Sequence, residues 1–441
     1  GLIGTSIALA LVGNGHTIEL EDSDAASLKL AKDLVGKSHL QKTPDFVIVA
    51  TPPDSIFETL KTKYELFPSA IFIDVGSVKN KLIQEVESFT ENKNEPVVYF
   101  DSNIGDINRR HIWQANLVSG KSTMITKGEG IEMHPVTAGK DVYCFRSGYN
   151  FSRTLARIDQ DGKSFTDLKI SADNFQSNLF IKPEAVVFKA ADGTTIHGQL
   201  FINRNMKGKK PGLLYMHGGP TRQMLLGFHY SDYYSQCYAF NQFMAQQGYA
   251  VLSVNYRDGI GYGRKFRNAP DQGPRGAVEY QDIVAAGKYL QTLPEVNAEQ
   301  IGLWGGSYGG YLTAMGLARN PELFKTGVDI HGVHNWAHRA KNFWYPGGWW
   351  GLSDQELPLA YKSSPVYDLS GWRAPVLMIH GDDDRNVDFQ ETTDLAEQLR
   401  ERGVEVELLI LPDEVHGFLR YESWKKIFQR SAAYLYRKLP R

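Results

Sequence analysis

Gly305-Gly306-Ser307-Tyr308-Gly309 follows the apolar run Ile301-Gly302-Leu303-Trp304 and opens into the helix-like Tyr311-Leu312-Thr313-Ala314-Met315. A G-x-S-x-G at a junction of strand and helix is a nucleophile elbow, in which small residues let the chain turn tightly enough to push a serine hydroxyl out above the sheet. Ser307 is therefore the candidate nucleophile. A serine hydroxyl does not attack an acyl carbon unaided at neutral pH, so the motif requires a carboxylate and then a histidine further along, each at a strand end.

Both are present. Ala374-Pro375-Val376-Leu377-Met378-Ile379-His380 reads as a buried strand that empties into Gly381-Asp382-Asp383-Asp384-Arg385-Asn386-Val387. Val404 to Leu411 reads as the next, emptying into Pro412-Asp413-Glu414-Val415-His416-Gly417-Phe418. His416 would take the proton of Ser307, and one of the acids after His380 would hold the imidazole tautomer. The chain order Ser, Asp, His is that of α/β-hydrolases and separates this reading from chymotrypsin-like and subtilisin-like arrangements. Taken alone, a G-x-S-x-G in a chain with 42 glycines is more often a loop; three roles in one order at three strand ends are harder to produce by chance.

These residues carry a resemblance. Gly-Gly-Ser-Tyr-Gly-Gly-Tyr at 305–311, His-Gly-x-x-Asp-x-Asn-Val at 380–387, Asp-Glu-x-His-Gly at 413–417 and His217-Gly218-Gly219-Pro220 resemble the prolyl oligopeptidase family of serine peptidases, in its dipeptidyl-peptidase and acylaminoacyl-peptidase branches. The likeness runs from about Pro183 to the C-terminus. It implies peptide substrates, Asp384 as the triad acid, and a substrate-orienting role for Asn386.

The oxyanion hole requires two preorganised donors, and the backbone N–H of Tyr308 is one. The second is expected from the loop after Gly212-Leu213-Leu214-Tyr215-Met216, where the glycines admit a close backbone approach. The dipeptidyl-peptidase branch carries a tyrosine where this chain has His217, so a main-chain donor at Gly219, as the acylaminoacyl branch implies, fits better; His217 is read as loop support. Trp336, Phe343, Trp344, Tyr345, Trp349 and Trp350 crowd the stretch before Met378. The resemblance points to Tyr308, Tyr311 and Trp336 as walls of a pocket for the side chain next to the scissile bond, with cap packing an equal reading for Trp349 and Trp350. His331, His334 and His338 show no metal-ligand spacing and read as core or pocket wall. No metal and no cofactor is expected.

Continuous apolar runs at Tyr249–Asn255 and Lys325–Ile330 suit a covered parallel sheet. Tyr280, Ile283, Val284, Gly287 and Leu290 share a helical face between strands. The expected fold over 184–441 is an α/β-hydrolase, a doubly wound, mostly parallel sheet with its site at the strand C-termini.

The 441 residues suit two or three domains, with 42% hydrophobic and 22% charged residues. A net charge of −2 favours no polyanion such as nucleic acid. Two cysteines, Cys144 and Cys237, give no disulfide framework and lean toward a reducing compartment. No apolar run reaches spanning length, and no basic signal segment opens the chain. The expectation is a cytoplasmic protein with no membrane partner, for which a homo-oligomer is allowed.

Gly1-Leu2-Ile3-Gly4-Thr5-Ser6, a helical run and then His16 to Asp22 read as the back half of a dinucleotide-binding fingerprint, with Gly1 and Gly4 near a pyrophosphate and Asp22 on a ribose hydroxyl. With Asp45–Pro53 and Ala70–Lys79, residues 1–93 resemble the N-terminal part of prephenate dehydrogenase. The first strand and first fingerprint glycine are missing, and no all-helical second domain follows, so a working oxidoreductase is not expected. His134-Pro135 sits in strand-type sequence and reads as coincidence with that family's catalytic segment. After the polar joint Thr90–Pro96, short strand-like runs alternate with turns over 97–183, including Gly-Lys-Ser at Gly120 and Gly162. This suits a partial β-propeller of roughly two blades, where closure needs at least four. Two units lacking their beginnings fit a misassembled or truncated coding sequence better than an evolved fusion. Three other functions stay open: an esterase on the same fold, a nucleotide-binding protein acting through the N-terminal segment, and a catalytically dead interaction module.

Overall fold

The computed structural model describes residues 2–13, 16–36, 43–52, 55–68, 70–74, 97–138, 141–159, 164–168, 176–342 and 350–441. They divide into two compact units: Gly1–Phe100, Trp113–Ile125 and Val136–Val142 make one, and Asp101–Ile112, Thr126–Pro135 and Tyr143–Arg441 make the other.

In the smaller unit, helices Leu2–Gly13, Ala25–Val35 and Ile56–Leu66 accompany β1 (Phe46–Val49) and β2 (Ile71–Asp74). The two strands pair in parallel, Phe46 beside Ile71, and the helix between them supplies the crossover that parallel pairing requires. Asp24 caps the second helix, its carboxylate accepting the Ser27 N–H at 2.8 Å. This is a partial Rossmann-like unit. The expected joint at 90–96 and the segment Ser77–Lys79 lie outside the described residues.

Residues 97–168 supply two small sheets. One has the order β3 (Val97–Ser102), β4 (His111–Asn116), β5 (Ser122–Met124); the other runs β6 (Ile131–Ala138), β7 (Asp141–Ser147), β8 (Thr154–Ile158), β9 (Phe165–Leu168). The turn between β4 and β5 is built as its sequence suggests: Gly120 has φ +68, and Asn116 Oδ1 accepts the N–H groups of Val118 and Ser119. The Gly162 turn lies outside the described residues. Parts of these sheets belong to the larger unit. Ile131 and Met133 bury against Leu225, Ser147 donates to the Phe228 carbonyl at 2.7 Å, and Gln223 donates to the Ile107 carbonyl at 2.7 Å.

The rest of the larger unit is built on one eight-stranded sheet. Its strands are β10 (Glu184–Lys189), β11 (Thr195–Phe201), β12 (Lys210–Met216), β13 (Ala250–Asn255), β14 (Val296–Gly306), β15 (Thr326–Ile330), β16 (Val376–Gly381) and β17 (Val406–Leu411). Their spatial order is β10-β11-β13-β12-β14-β15-β16-β17. β10, β11 and β13 pair antiparallel, and every pairing from β13 through β17 is parallel.

Alternation along the strands explains the two covered faces. In β12, Leu213 and Tyr215 join one apolar cluster while Leu214 and Met216 join the other; in β16, Leu377 and Ile379 face one cluster and Met378 the other. The cluster holding Met378 also takes residues of the helices Tyr280–Thr292, Tyr308–Arg319 and Gln390–Glu401, and the opposite one takes residues of Asp232–Gln246 and Tyr421–Lys438. Each fully buried aliphatic or aromatic side chain contributes roughly 1.5–3 kcal/mol. Tyr280, Ile283, Gly287 and Leu290 are buried as the helical spacing requires, with Val284 packed at the edge. Helix 390–401 ends before Gly403, whose φ of +73 suits a helix terminus. The fold is that of an α/β-hydrolase. Among the described residues, no helix is long and apolar enough to cross a membrane.

Candidate active site

Ser307 stands between the end of β14 and helix 308–319 with φ +59 and ψ −118. That conformation is strained for a residue with a Cβ and costs on the order of 1–3 kcal/mol. Its N–H donates to the Ile330 carbonyl at 2.8 Å and its carbonyl accepts from Tyr311 N–H at 3.0 Å, so strand and helix both hold the turn. Within 301–318, Ser307 alone is not buried. The flanking glycines are required by closeness: a Cβ on Gly305 would lie 2.5 Å from the Met216 carbonyl oxygen, and one on Gly309 would overlap that same oxygen.

Asp384 lies in the turn after β16. Its Oδ1 accepts the N–H groups of Asn386 (2.8 Å) and Val387 (2.9 Å), and its Oδ2 lies 2.6 Å from His416 Nδ1. Burial by itself would raise this carboxyl's pKa; the imidazoles of His331, His380 and His416 directed at it outweigh burial and hold it below the ordinary carboxylate range. The neighbouring acids have other partners. Asp382 accepts the Asp413 N–H at 2.7 Å, tying the two loops together, and Asp383 pairs with Arg385 at the surface. Geometry therefore distinguishes three adjacent aspartates that the residues alone do not.

His416 follows β17 and is partly exposed. Its loop is fastened by buried Glu414, which accepts from Leu419 N–H (2.8 Å), Arg420 N–H (3.2 Å) and the Ser423 hydroxyl (2.5 Å). One face of the His416 ring stacks on His331, centroids 4.1 Å apart.

The glycine loop reaches the elbow. A Cβ on Gly218 would lie 3.1 Å from Ser307 Cβ and 2.9 Å from the Gly306 carbonyl oxygen, and Gly219 has φ +112. His217 supports this loop as expected, stacked on Tyr256 at 4.3 Å with Nδ1 3.0 Å from the Gly218 carbonyl oxygen. Burial pushes its pKa down to about 4.

Tyr308, Tyr311 and Trp336 form one aromatic group: centroids are 5.1 Å apart for Tyr308 and Tyr311, 5.4 Å for Tyr311 and Trp336, and 6.1 Å for Trp336 and Trp350. Phe343, Trp344, Tyr345 and Trp349 lie outside the described residues. Asn386 is exposed, and its carbonyl accepts from Arg339.

Four residues near this site were not legible as contributors. Tyr308 donates its phenol proton to buried Glu279 at 2.7 Å, and buried Asp258 lies close to the same group. His331 and Tyr233 lie 2.7 Å apart, ring nitrogen to hydroxyl. No local spacing marks them, because they meet only when the sheet is assembled. His331, Asp384 and His416 bring two imidazoles and a carboxylate within 4.8 Å of one another, donors that suit a transition ion. The Asp384–His416 hydrogen bond engages two of the three atoms. His334 is bound on both sides, to Asp329 Oδ2 at 2.7 Å and the Glu391 carbonyl at 2.8 Å.

The dinucleotide candidates have structural contacts. Gly1 lies outside the described residues, a Cβ on Gly4 would meet Ala50 Cβ at 3.4 Å, and Asp22 accepts the Asp24 N–H at 3.0 Å.

Residues 236–440 match the prolyl oligopeptidase family, and residues 7–97 match the nucleotide-binding domain of prephenate dehydrogenase. Dipeptidyl aminopeptidase BIII of Pseudoxanthomonas mexicana is 28% identical over 292 residues, covering 61% of this chain and 40% of that protein. Acylamino-acid-releasing enzyme 2 of Oryza sativa subsp. japonica is 27% identical over 268 residues, covering 57% of this chain and 32% of that protein. The chain thus spans well under half the length of these relatives. The crystal structure of Pyrococcus horikoshii acylaminoacyl peptidase superimposes with a TM-score of 0.66 at 23% identity, covering 78% of this chain and 54% of that one. Elbow, loop-borne acid and histidine, and sheet order agree with this sequence similarity, which over residues 236–440 is to the prolyl oligopeptidase family.

Proposed function

We propose that the chain is a serine peptidase that cleaves short peptides through an acyl-enzyme. The observation that carries the reading is the hydrogen bond between Asp384 and His416, the carboxylate fixed by two backbone N–H groups, in the same sheet rim as the strained Ser307 elbow. In this reading the Ser307 Oγ attacks the acyl carbon while His416 Nε2 takes its proton, and Asp384 stabilises the imidazolium so formed. The carbonyl oxygen becomes an oxyanion held by the N–H groups of Tyr308 and Gly219. His416 then protonates the leaving amine as the C–N bond breaks. Water attacks the resulting ester, giving its proton to His416, and the acid product leaves with Ser307 restored.

The aromatic group of Tyr308, Tyr311 and Trp336 supports an apolar side chain beside the scissile bond, and Asn386 is the candidate to orient the substrate main chain. The relatives include both dipeptidyl and acylaminoacyl enzymes. Both substrate types therefore belong in the test. Aminoacyl, dipeptidyl and N-acyl-aminoacyl p-nitroanilides should be hydrolysed by the chain and not by Ser307→Ala. Turnover of p-nitrophenyl esters with no turnover of any anilide would make it an esterase instead.

A further inference from the structure

His331 follows β15, between the strand that carries the nucleophile and the strand that leads to Asp384. Its N–H donates to the Ile379 carbonyl at 2.7 Å, and the carbonyl before it, on Ile330, accepts from Ser307. Its φ is +42, a conformation that a β-carbon makes costly. The strain aims a fully buried imidazole at the centre of the site.

Every side of that ring has a neighbour. Nε2 lies 2.7 Å from the Tyr233 hydroxyl, and Tyr233 is itself set edge-on against Trp424 at 5.0 Å. The ring stacks on His416 at 4.1 Å with 30° between planes, and on Phe418 at 4.9 Å with 18°. Nδ1 lies 3.4 Å from Asp384 Oδ2, close enough for electrostatic attraction without hydrogen-bond geometry. The titratable groups around it are therefore His416, Asp384, Tyr233 and, edge-on at 6.0 Å, His380.

Resting on the peptidase reading, we propose that His331 is a positioning residue that fixes the plane of the His416 imidazole, by stacking beneath it while Tyr233 locks its own ring in place. An imidazole tied only through Nδ1 to Asp384 still swings about that bond. A flat, hydrogen-bonded ring under one face removes the swing and leaves Nε2 aimed at one place. The supporting ring must also stay uncharged, since a cation beneath His416 would oppose its taking a proton. Burial, reinforced by repulsion from His416, pushes the His331 pKa down to about 3.

The test uses the full chain, with His331→Ala and His331→Phe beside the wild type, and reads kcat and KM on the best p-nitroanilide, the rate of fluorophosphonate labelling, and Tm. Misplacing a catalytic group by an ångström costs on the order of 100-fold. His331→Ala should lower kcat and the labelling rate together by about 10- to 100-fold with KM within about twofold. His331→Phe keeps the stacking face and loses the Tyr233 bond; it should recover part of that loss, and it carries the test if the alanine variant does not fold. Labelling and kcat within twofold of wild type in the folded variants, or a loss confined to KM, would overturn the positioning role alone. A folded wild type that the probe does not label removes the peptidase reading and this role with it.

Discussion

Tyr308, the residue after Ser307, donates its phenol proton to Glu279 Oε1 at 2.7 Å. The side chain beside the nucleophile, whose own N–H is the proposed oxyanion donor, is thus anchored to a carboxyl buried in the protein. Asp258 shares that interior with φ +76 and neither carboxyl oxygen hydrogen-bonded. Burial first, and then repulsion from the neighbouring Glu279, raises the Asp258 pKa; burial raises that of Glu279 as well.

Carboxyls with raised folded-state pKa values hold protons that the unfolded chain has released. The stability that these two carboxyls contribute should therefore be fully present below about pH 4, the unfolded carboxyl range, and fall as pH rises through neutrality toward the raised values. Asp258→Asn removes one of these groups and tolerates a positive φ. The variant should gain about 1–3 kcal/mol relative to wild type near pH 9 and little near pH 4, since a tenfold difference in proton affinity between folded and unfolded chains is worth about 1.4 kcal/mol. Urea unfolding at the two pH values measures this. An equal effect at both would show that ionisation of Asp258 is not the cause.

The two backbone N–H groups on Asp384 Oδ1 let its role be separated from its shape. Asp384→Asn can keep an oxygen at that position while losing the negative charge facing His416. Loss of the anion should lower kcat by about 10⁴-fold, and it should also lower the folding midpoint at neutral pH, because a carboxylate held below its ordinary range contributes stability there. A drop of less than tenfold on a p-nitroanilide would mean that another acid serves His416.

Three buried histidines set the acid limit. Burial pushes His217 down to about 4, and His229 and His331 to about 3, so all three are neutral in the folded protein. Below the unfolded value near 6.5 the unfolded chain takes up protons that the native state refuses, so the stability these histidines contribute is intact above that pH and is lost as pH falls from about 6.5 toward 4. Each contributes about 1.4 kcal/mol per pH unit in that window. His229→Gln should remove about a third of the slope that the three histidines impose on the urea midpoint, read as the difference between variant and wild type across that window. The same pH dependence of the midpoint in wild type and His229→Gln would contradict it.

The parts of the site that depend on chain order were legible from the residues. Ser307, Asp384 and His416 follow runs that are apolar because both faces of the sheet are covered, and a strand that must end at a functional loop announces its end by a break in that run. Choosing among Asp382, Asp383 and Asp384 needed either the family likeness or the contacts, since only the third meets His416 while the first is used to bind the Asp413 N–H. His331 reads as an ordinary core histidine because its importance comes from the pairing of β15 with β16 and from a positive φ, neither of which leaves a local signature. Glu279 likewise sits at the start of an amphipathic helix, where an acid is unremarkable; only the packed structure delivers it to Tyr308. Gly4 and Asp22 belong to a fingerprint readable in the residues: a Cβ on Gly4 would meet Ala50, and Asp22 accepts the Asp24 N–H.

Reaction of the intact protein with a fluorophosphonate probe, followed by peptide mapping, addresses the nucleophile itself. A single adduct on Ser307, absent from Ser307→Ala and slowed by Asp384→Asn, is the expected result. A folded wild type that stays unmodified, or an adduct that persists on Ser307→Ala at the same rate, would contradict it.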